Sequence, residues 1–531
     1  MDLHGDEWAP KVSLDSASKG SEDDPDAERT GEISSADMGS SLDATAFLHE
    51  DFTEKLAEIL SLMKATQPEI VRSVRVFQAM RSFGAAFRGV ESDYYTLSQP
   101  AHKMQFWSHS WHGSTWAKVI TLYFIHNATA AAALSATLAF CVTMFLSVSR
   151  VPSLEHIVST LSVRAVPCCF VVALMTHVLA FIFWRRQKAV FVDRLCISDS
   201  EKLKAEGLFS MGAILKSSDS MLVLWDKTYQ QRLWCTFEMA AFLHSHREPD
   251  LIIYPTLLGP LMAAGNVALI LACGGAYVSA HFSLEGMGPS FYLPFWLILA
   301  SIAALVFFSI AEETRRYCRE VENLSHELQN FRFDDAVAWC CSVGHVDPDS
   351  GAPLICDRAV VRKCICSWFG CVDEFERSVR TEVLDVLKSH LSTALVSYRR
   401  VVEASPCILW VFLDFSVGPI RHGNVDTGIW LLLRGFAYWL GVVPILFLSL
   451  YTMAHLLRRS RRPRCVDKLV SLLLVCFGVC LFVCIAALEE TLFRFLLRWL
   501  PDAAIGAIFC SGTMGLAALL WNRQPCLLLR N

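Results

Sequence analysis

The chain has 531 residues, 53% of them hydrophobic and 19% charged, with a mean hydropathy of +0.39. That apolar share lies above the norm for soluble domains and argues against a wholly soluble protein. Formal charge is −5, yet residues 1–51 hold fourteen acids against three bases, so an acidic start precedes a mildly basic body and no nucleic-acid partner is expected.

Residues 1–45 are rich in Ser, Asp, Glu and Gly and nearly free of branched apolar side chains. They cannot bury enough surface to offset the entropy of ordering, which predicts a disordered acidic tail. No basic n-region or apolar h-region precedes them, so the first membrane helix is expected to do the targeting, with the N-terminus in the cytosol. Residues 46–100 read as amphipathic helices split near Pro68. Leu56, Ile59, Leu60 and Met63 recur at helical steps, and so do Val71, Val74, Phe77 and Met80.

A membrane span needs about 20 residues without charge, and seven stretches qualify. Segments 128–148 and 166–184 form one predicted hairpin (128–184), and 257–280 with 293–310 another (257–310). Segments 429–451, 469–488 and 503–521 make a C-terminal set within 428–531. Arg185, Arg186 and Lys188 follow the second span and Arg315, Arg316 and Arg319 the fourth, which places both loops in the cytosol. The run Arg458, Arg459, Arg461, Arg462 and Arg464 also demands the cytosol, so an even number of crossings must separate it from Arg319. One is evident. Either 407–420 adds a short re-entrant segment, or 429–457 is not a simple span.

Between the spans, residues 101–127 and 185–256 alternate strands and helices. A strand at 104–107 leads into Ser108, His109 and Ser110, and a helix begins near Ser114. After the first hairpin come a strand at 189–193, a helix at 201–216, a strand at 221–225, a helix at 229–246 and a strand at 251–254. That alternation predicts a parallel sheet with right-handed crossovers, whose ligands bind beyond the carboxyl ends of the strands. Residues 311–427 read as a helical cytosolic module, with Asp357 as an N-cap, a break at Gly370, and Phe375, Val379, Val383 and Leu387 as its core stripe. The fold class is therefore an α-helical polytopic membrane protein with an inserted α/β unit.

The succession FWSHSW, VFVD, LFSMGAILKSSDSMLVLWDKTYQQRLWCTFEMAAFL and LIIYP resembles the Toll/interleukin receptor (TIR) domain. In that family a strand ending in a Ser-rich turn opens the domain, and a helix bearing Trp-Cys-x-x-Glu follows the third strand. Ser108 to Ser110 match the turn, and Trp234, Cys235 and Glu238 match the helix. The chain is also similar to multi-pass protist membrane proteins that share the SHSW and RLWCxFE signatures. The resemblance implies a flavodoxin-like parallel sheet split by a transmembrane hairpin, signalling or scaffolding, and self-association through the unit. In its enzymatic form it implies NAD(P) as substrate, Glu238 as the catalytic carboxylate, and Ser108, His109, Ser110 and Trp234 lining the site.

Read from the residues alone, a carboxylate beside a ribose can stabilise oxocarbenium-like charge. Glu238 can equally pair with Arg232, Trp234 can simply pack its helix on the sheet, Ser110 and Ser114 can be helix caps, and Asp193 can start a loop. Cys340, Cys341, His345, Cys356, Cys364, Cys366 and Cys371 would suffice for a tetrahedral zinc site, but no C-x₂-C pair appears. Reduced structural thiols are the expectation, with no metal and no resident cofactor. Many of the twenty cysteines lie in apolar runs and argue for no disulfide framework. The competing class is a channel or transporter subunit, whose expected mark is ionisable residues within spans. Arg434 lies close enough to its span end to snorkel. The lipid bilayer is the partner expected on every reading.

Overall fold

The computed structural model describes residues 50–89, 94–148, 167–284, 289–393 and 397–528, with backbone alone at 201, 276, 278–284, 289–296, 299–300, 389–393 and 524–528. The acidic tail expected over 1–45 lies outside the described residues. The chain divides into two compact units. One ends its first segment at Thr115 and adds Gln187–Pro255 and Ser325–Leu387; the other holds Trp116–Arg186, Thr256–Leu324 and Lys388–Asn531.

Six strands make up the sheet of the first unit: β1 (Arg72–Arg75), β2 (Gln99–Pro100), β3 (Met104–His109), β4 (Ala189–Phe191), β5 (Ser218–Trp225) and β6 (Leu251–Pro255), in the order β2-β1-β4-β3-β5-β6. Strands β4, β3, β5 and β6 are parallel, with Phe106 beside Phe191, Trp107 beside Leu222 and Val223 beside Ile253. The two pieces of α/β sequence on either side of the first hairpin therefore belong to one sheet. Every residue of β3 is buried, as are all but Asp219 in β5, which is the continuous apolar character that parallel strands covered on both faces require. The order reverses at β3, as in doubly wound sheets, whose ligands bind beyond the carboxyl ends of the strands at such a switch point, here β3 and β5.

Between 71 and 80 the structure departs from the helical expectation. Arg72–Arg75 is a strand, antiparallel to both β4 and β2, and only afterwards does the chain turn into the short helices Val76–Ala79 and Arg81–Gly84. Val71, Val74 and Val76 are β-branched and fit a pleated edge, and β1 covers the backbone that β4 would otherwise expose.

Segment 325–387 belongs to the sheet unit rather than to a separate module. The helix Asp357–Phe369 ends at Gly370, whose φ of 86° closes it. Its N-cap is Cys356, one residue before the expected Asp357. Trp368 lies 5.5 Å from Phe237 and donates its indole N–H to Ser61 O at 3.0 Å, so this helix joins Leu233–Ser245 to the helix at 50–61. Phe375, Val379, Val383 and Leu387 are all fully buried, as their spacing implied.

The second unit is helical. Five described helices are long and apolar enough to cross a bilayer: Thr115–Val148, Leu258–Gly275, Val425–Leu456, Arg464–Leu496 and Asp502–Arg523. The expected span at 166–184 is the shorter helix Cys168–Phe183, and that at 293–310 falls within Pro289–Gln329, outside these five. Tyr398–Ala404 and Cys407–Arg421 meet at 54°, the bend of a broken span or a re-entrant loop, and after a turn at Gly423 the chain continues into Val425–Leu456. The returning helix lies close, since a Cβ on Gly435 would sit 2.8 Å from Phe412 Cβ. The two basic stretches meet: Arg319 donates to Arg458 O at 2.8 Å, and Arg458 pairs with Glu322 at 2.7 and 2.9 Å.

Acids inside this unit have structural partners. Asp414 accepts the backbone N–H groups of Cys169 and Phe170 at 2.8 and 2.9 Å, capping Cys168–Phe183, and Tyr277 donates to it at 2.7 Å. Arg434 does not snorkel but pairs with Glu489 at 2.7 Å, with Tyr438 donating to the same carboxylate. A close helix crossing lies at Gly259, where an added Cβ would overlap the backbone of Thr121. Gly259→Ala is therefore expected to cost about 1–3 kcal/mol, as overpacking does. Thermal unfolding of the variant in detergent measures it, and an unchanged midpoint would contradict so close an approach.

Candidate active site

Beyond the carboxyl ends of β3 and β5, the turn after β3 meets the loop after β5 and the helix Leu233–Ser245. Ser108 is the anchor. Its hydroxyl donates to Glu238 Oε2 at 2.5 Å and lies 2.7 Å from Tyr229 OH. A serine has one proton to give, so Tyr229 donates to Ser108 and Ser108 to Glu238, forming a three-member relay. Tyr229 is buried against Trp225, ring centroids 4.7 Å apart, and desolvation holds its phenol proton well above the ordinary range.

Glu238 keeps partial exposure on its helix. Desolvation pushes its carboxyl up to about 8, the Ser108 hydrogen bond opposes that, nearby Asp193 adds to it, and Arg232 opposes it. Burial thus favours the protonated form of the acid relative to an exposed carboxyl. Its raised value means that folded-state stability is fully present below about 4.5, where the unfolded chain also holds this proton, and is lost as pH rises towards about 8. Glu238→Gln is expected to flatten that decline. Thermal midpoints of the wild type and the variant, compared across the window, check it, and parallel curves would contradict a desolvated carboxyl.

The other expected site residues take different places. Ser110 lies 2.7 Å from Thr228 Oγ1 and accepts the backbone N–H of His112 at 3.3 Å, so it holds the turn. His109 is buried edge-on to Trp111 and Phe87, at 4.5 and 5.2 Å between ring centroids. Trp234 is half-buried and sits edge-on to Phe237 of its own helix at 5.4 Å. Asp193 accepts the indole N–H of Trp111 at 2.9 Å, and Arg194 lies 4.8 Å from that ring. The turn comes so close to β5 that a Cβ on Gly113 would overlap the Asp226 carboxyl. A polar cavity of about 240 Å³ opens elsewhere, among Ser73, Arg75, Gln78 and Lys103 at the β1–β2 edge.

By sequence Tyr229 is the first residue of a helix over 229–246, which hides it as a site residue; the helix begins only at Leu233, and Tyr229 lies in the turn after β5. The available signal was its place after a strand end, where ligands of such sheets collect. No protein-family model, curated protein or solved structure matches the chain.

Proposed function

We propose that the chain is a membrane-anchored protein presenting a TIR-like domain to the cytosol for signalling or scaffolding through self-association, and that the domain cleaves NAD(P) at its nicotinamide–ribose bond. The observation that carries this reading is the contact between Ser108 and Glu238, which meets the resemblance's two motifs at the switch point of a doubly wound sheet. The cytosolic assignment rests on the basic residues after the first hairpin and at the Arg319–Arg458 junction.

In the reaction proposed, the ribose C1′–N bond breaks with its electron pair leaving on nicotinamide, whose pyridinium becomes a neutral ring. Water adds to C1′ and releases a proton. Glu238 faces the ribose, where its carboxylate offsets the developing positive charge or accepts a ribose hydroxyl. The cationic pyridinium itself favours ionisation of the raised Glu238 acid. Release of nicotinamide from NAD and NADP by membranes bearing the full chain tests the activity. Release above that of membranes lacking the chain is the expected result; none would leave the domain a scaffold and remove the enzymatic part of the reading.

A further inference from the structure

The loop after the bridge between Arg232 and Val337 gathers four metal-ligating side chains that the site does not use. Cys340, Cys341, His345 and Cys356 bring one ligand atom each to within 4.8 Å of one another. We infer that these four residues form a tetrahedral Cys₃His zinc site that staples both flanks of the helix carrying Glu238.

The geometry suits the ion. Cys341 Sγ and Cys356 Sγ lie 3.9 Å apart. Two thiolates on one tetrahedral zinc, with bonds of about 2.3 Å, are separated by about 3.8 Å, whereas a disulfide would bring them to about 2.0 Å. His345 Nε2 is buried and makes no hydrogen bond among the described residues, although an imidazole nitrogen withdrawn from water normally has a partner. A zinc ion supplies one.

The backbone is shaped for convergence. Gly344 and His345 both adopt left-handed conformations, with φ of 69° and 61°, the second being uncommon for a residue with a side chain. That turn folds the chain so that His345 N–H reaches Cys340 O at 2.8 Å and Gly344 N–H reaches Cys341 O at 3.4 Å. Asp357 N–H donates to Cys340 Sγ at 3.4 Å, the kind of outer contact that orients and stabilises a metal-bound thiolate. Three sulfurs and one imidazole select zinc over oxygen-loving cations, and four protein ligands are the set of a structural site.

The other cysteines of the region stand apart. Cys364 turns its thiol to Ala57 O at 3.4 Å and Cys371 is exposed. The spacing Cys-Cys-x₃-His-x₁₀-Cys carries no zinc-knuckle pair, so only the turn at 344–345 reveals the set. Immediately before it, Val337 N–H donates to Gln231 O at 2.7 Å and Val337 O accepts Leu233 N–H at 3.4 Å, at the start of the Glu238 helix. Immediately after it, the helix Asp357–Phe369 packs on the same helix through Trp368 and Phe237. An ion joining Cys340 and Cys341 to Cys356 ties these flanks together.

The test is elemental analysis of the detergent-purified full chain, alongside Cys356→Ser, His345→Ala, His345→Cys and the control Cys371→Ser. Wild type and Cys371→Ser are expected to carry about one zinc per chain, and Cys356→Ser and His345→Ala to lose it. His345→Cys should retain it. Cobalt exchanged into the wild type should give the visible bands and thiolate charge-transfer absorption of a tetrahedral S₃N site, changed towards S₄ in His345→Cys. This spectral arm decides the matter even where His345→Ala fails to fold. Zinc content in the wild type no higher than in Cys356→Ser, or a Cys341–Cys356 disulfide in the unreduced protein, would overturn the inference.

Discussion

Replacing Glu238 by Gln is expected to lower nicotinamide release by about 10²- to 10⁴-fold, the range lost when a positioned acid or base is removed. The pH profile should carry the same signature. Because burial pushes the carboxyl up to about 8, kcat/KM, which reports the free protein, should rise with pH to a midpoint near that value. The kcat profile should reach its plateau at lower pH, since bound substrate brings a pyridinium cation beside the carboxyl. Glu238→Gln retains the size of the side chain and a carbonyl that accepts from Ser108, so a loss of rate without loss of folding separates chemistry from stability. Equal turnover in wild type and variant, measured in the same membranes, would remove Glu238 from the mechanism.

The second large effect concerns stability. Arg315 is fully buried, and its guanidinium spends all five N–H donors: on Leu457 O at 2.9 Å, Asp467 O at 2.9 Å, Ser471 Oγ at 2.9 Å, Arg459 O at 3.3 Å and Asp467 Oδ1 at 2.6 Å. One side chain thereby holds the end of Val425–Leu456 and the start of Arg464–Leu496. Arg315→Met would leave a carboxylate and several carbonyls without their donor, at a cost of about 3–5 kcal/mol. Arg315→Lys should recover little, because an ammonium cannot span a fork of five acceptors. Denaturant unfolding of the full chain in detergent measures both variants; a change under about 1 kcal/mol for Arg315→Met would show that the network is dispensable.

Much of the parallel sheet was legible because its strands are apolar on both faces and punctuated by polar turns. The segments around Phe106, Val190, Leu222 and Ile252 all became strands close to their expected bounds. The Phe375–Leu387 stripe was legible for the complementary reason, a repeat of four on one helix. Strand β1 was not, since Val71 and Val74 satisfy helix and strand spacing alike, and what decides is β4, more than a hundred residues away. Likewise nothing local announces that Arg315 finds Asp467, or that Arg434 finds Glu489. In the candidate site, Ser108 and Glu238 were marked by motif. Tyr229 and the Asp193–Trp111 contact depend on loops whose meeting is set by the order of the strands.

A double-mutant cycle on Ser108→Ala and Glu238→Gln tests most directly whether the two halves of the divided domain meet in one site. Unfolding free energies of wild type, both single variants and the double variant, taken from the full chain in detergent, give the coupling between residues 130 positions apart. A coupling of about 0.5–3 kcal/mol is predicted for side chains in direct contact, whereas effects that add to within about 0.3–0.5 kcal/mol would contradict it.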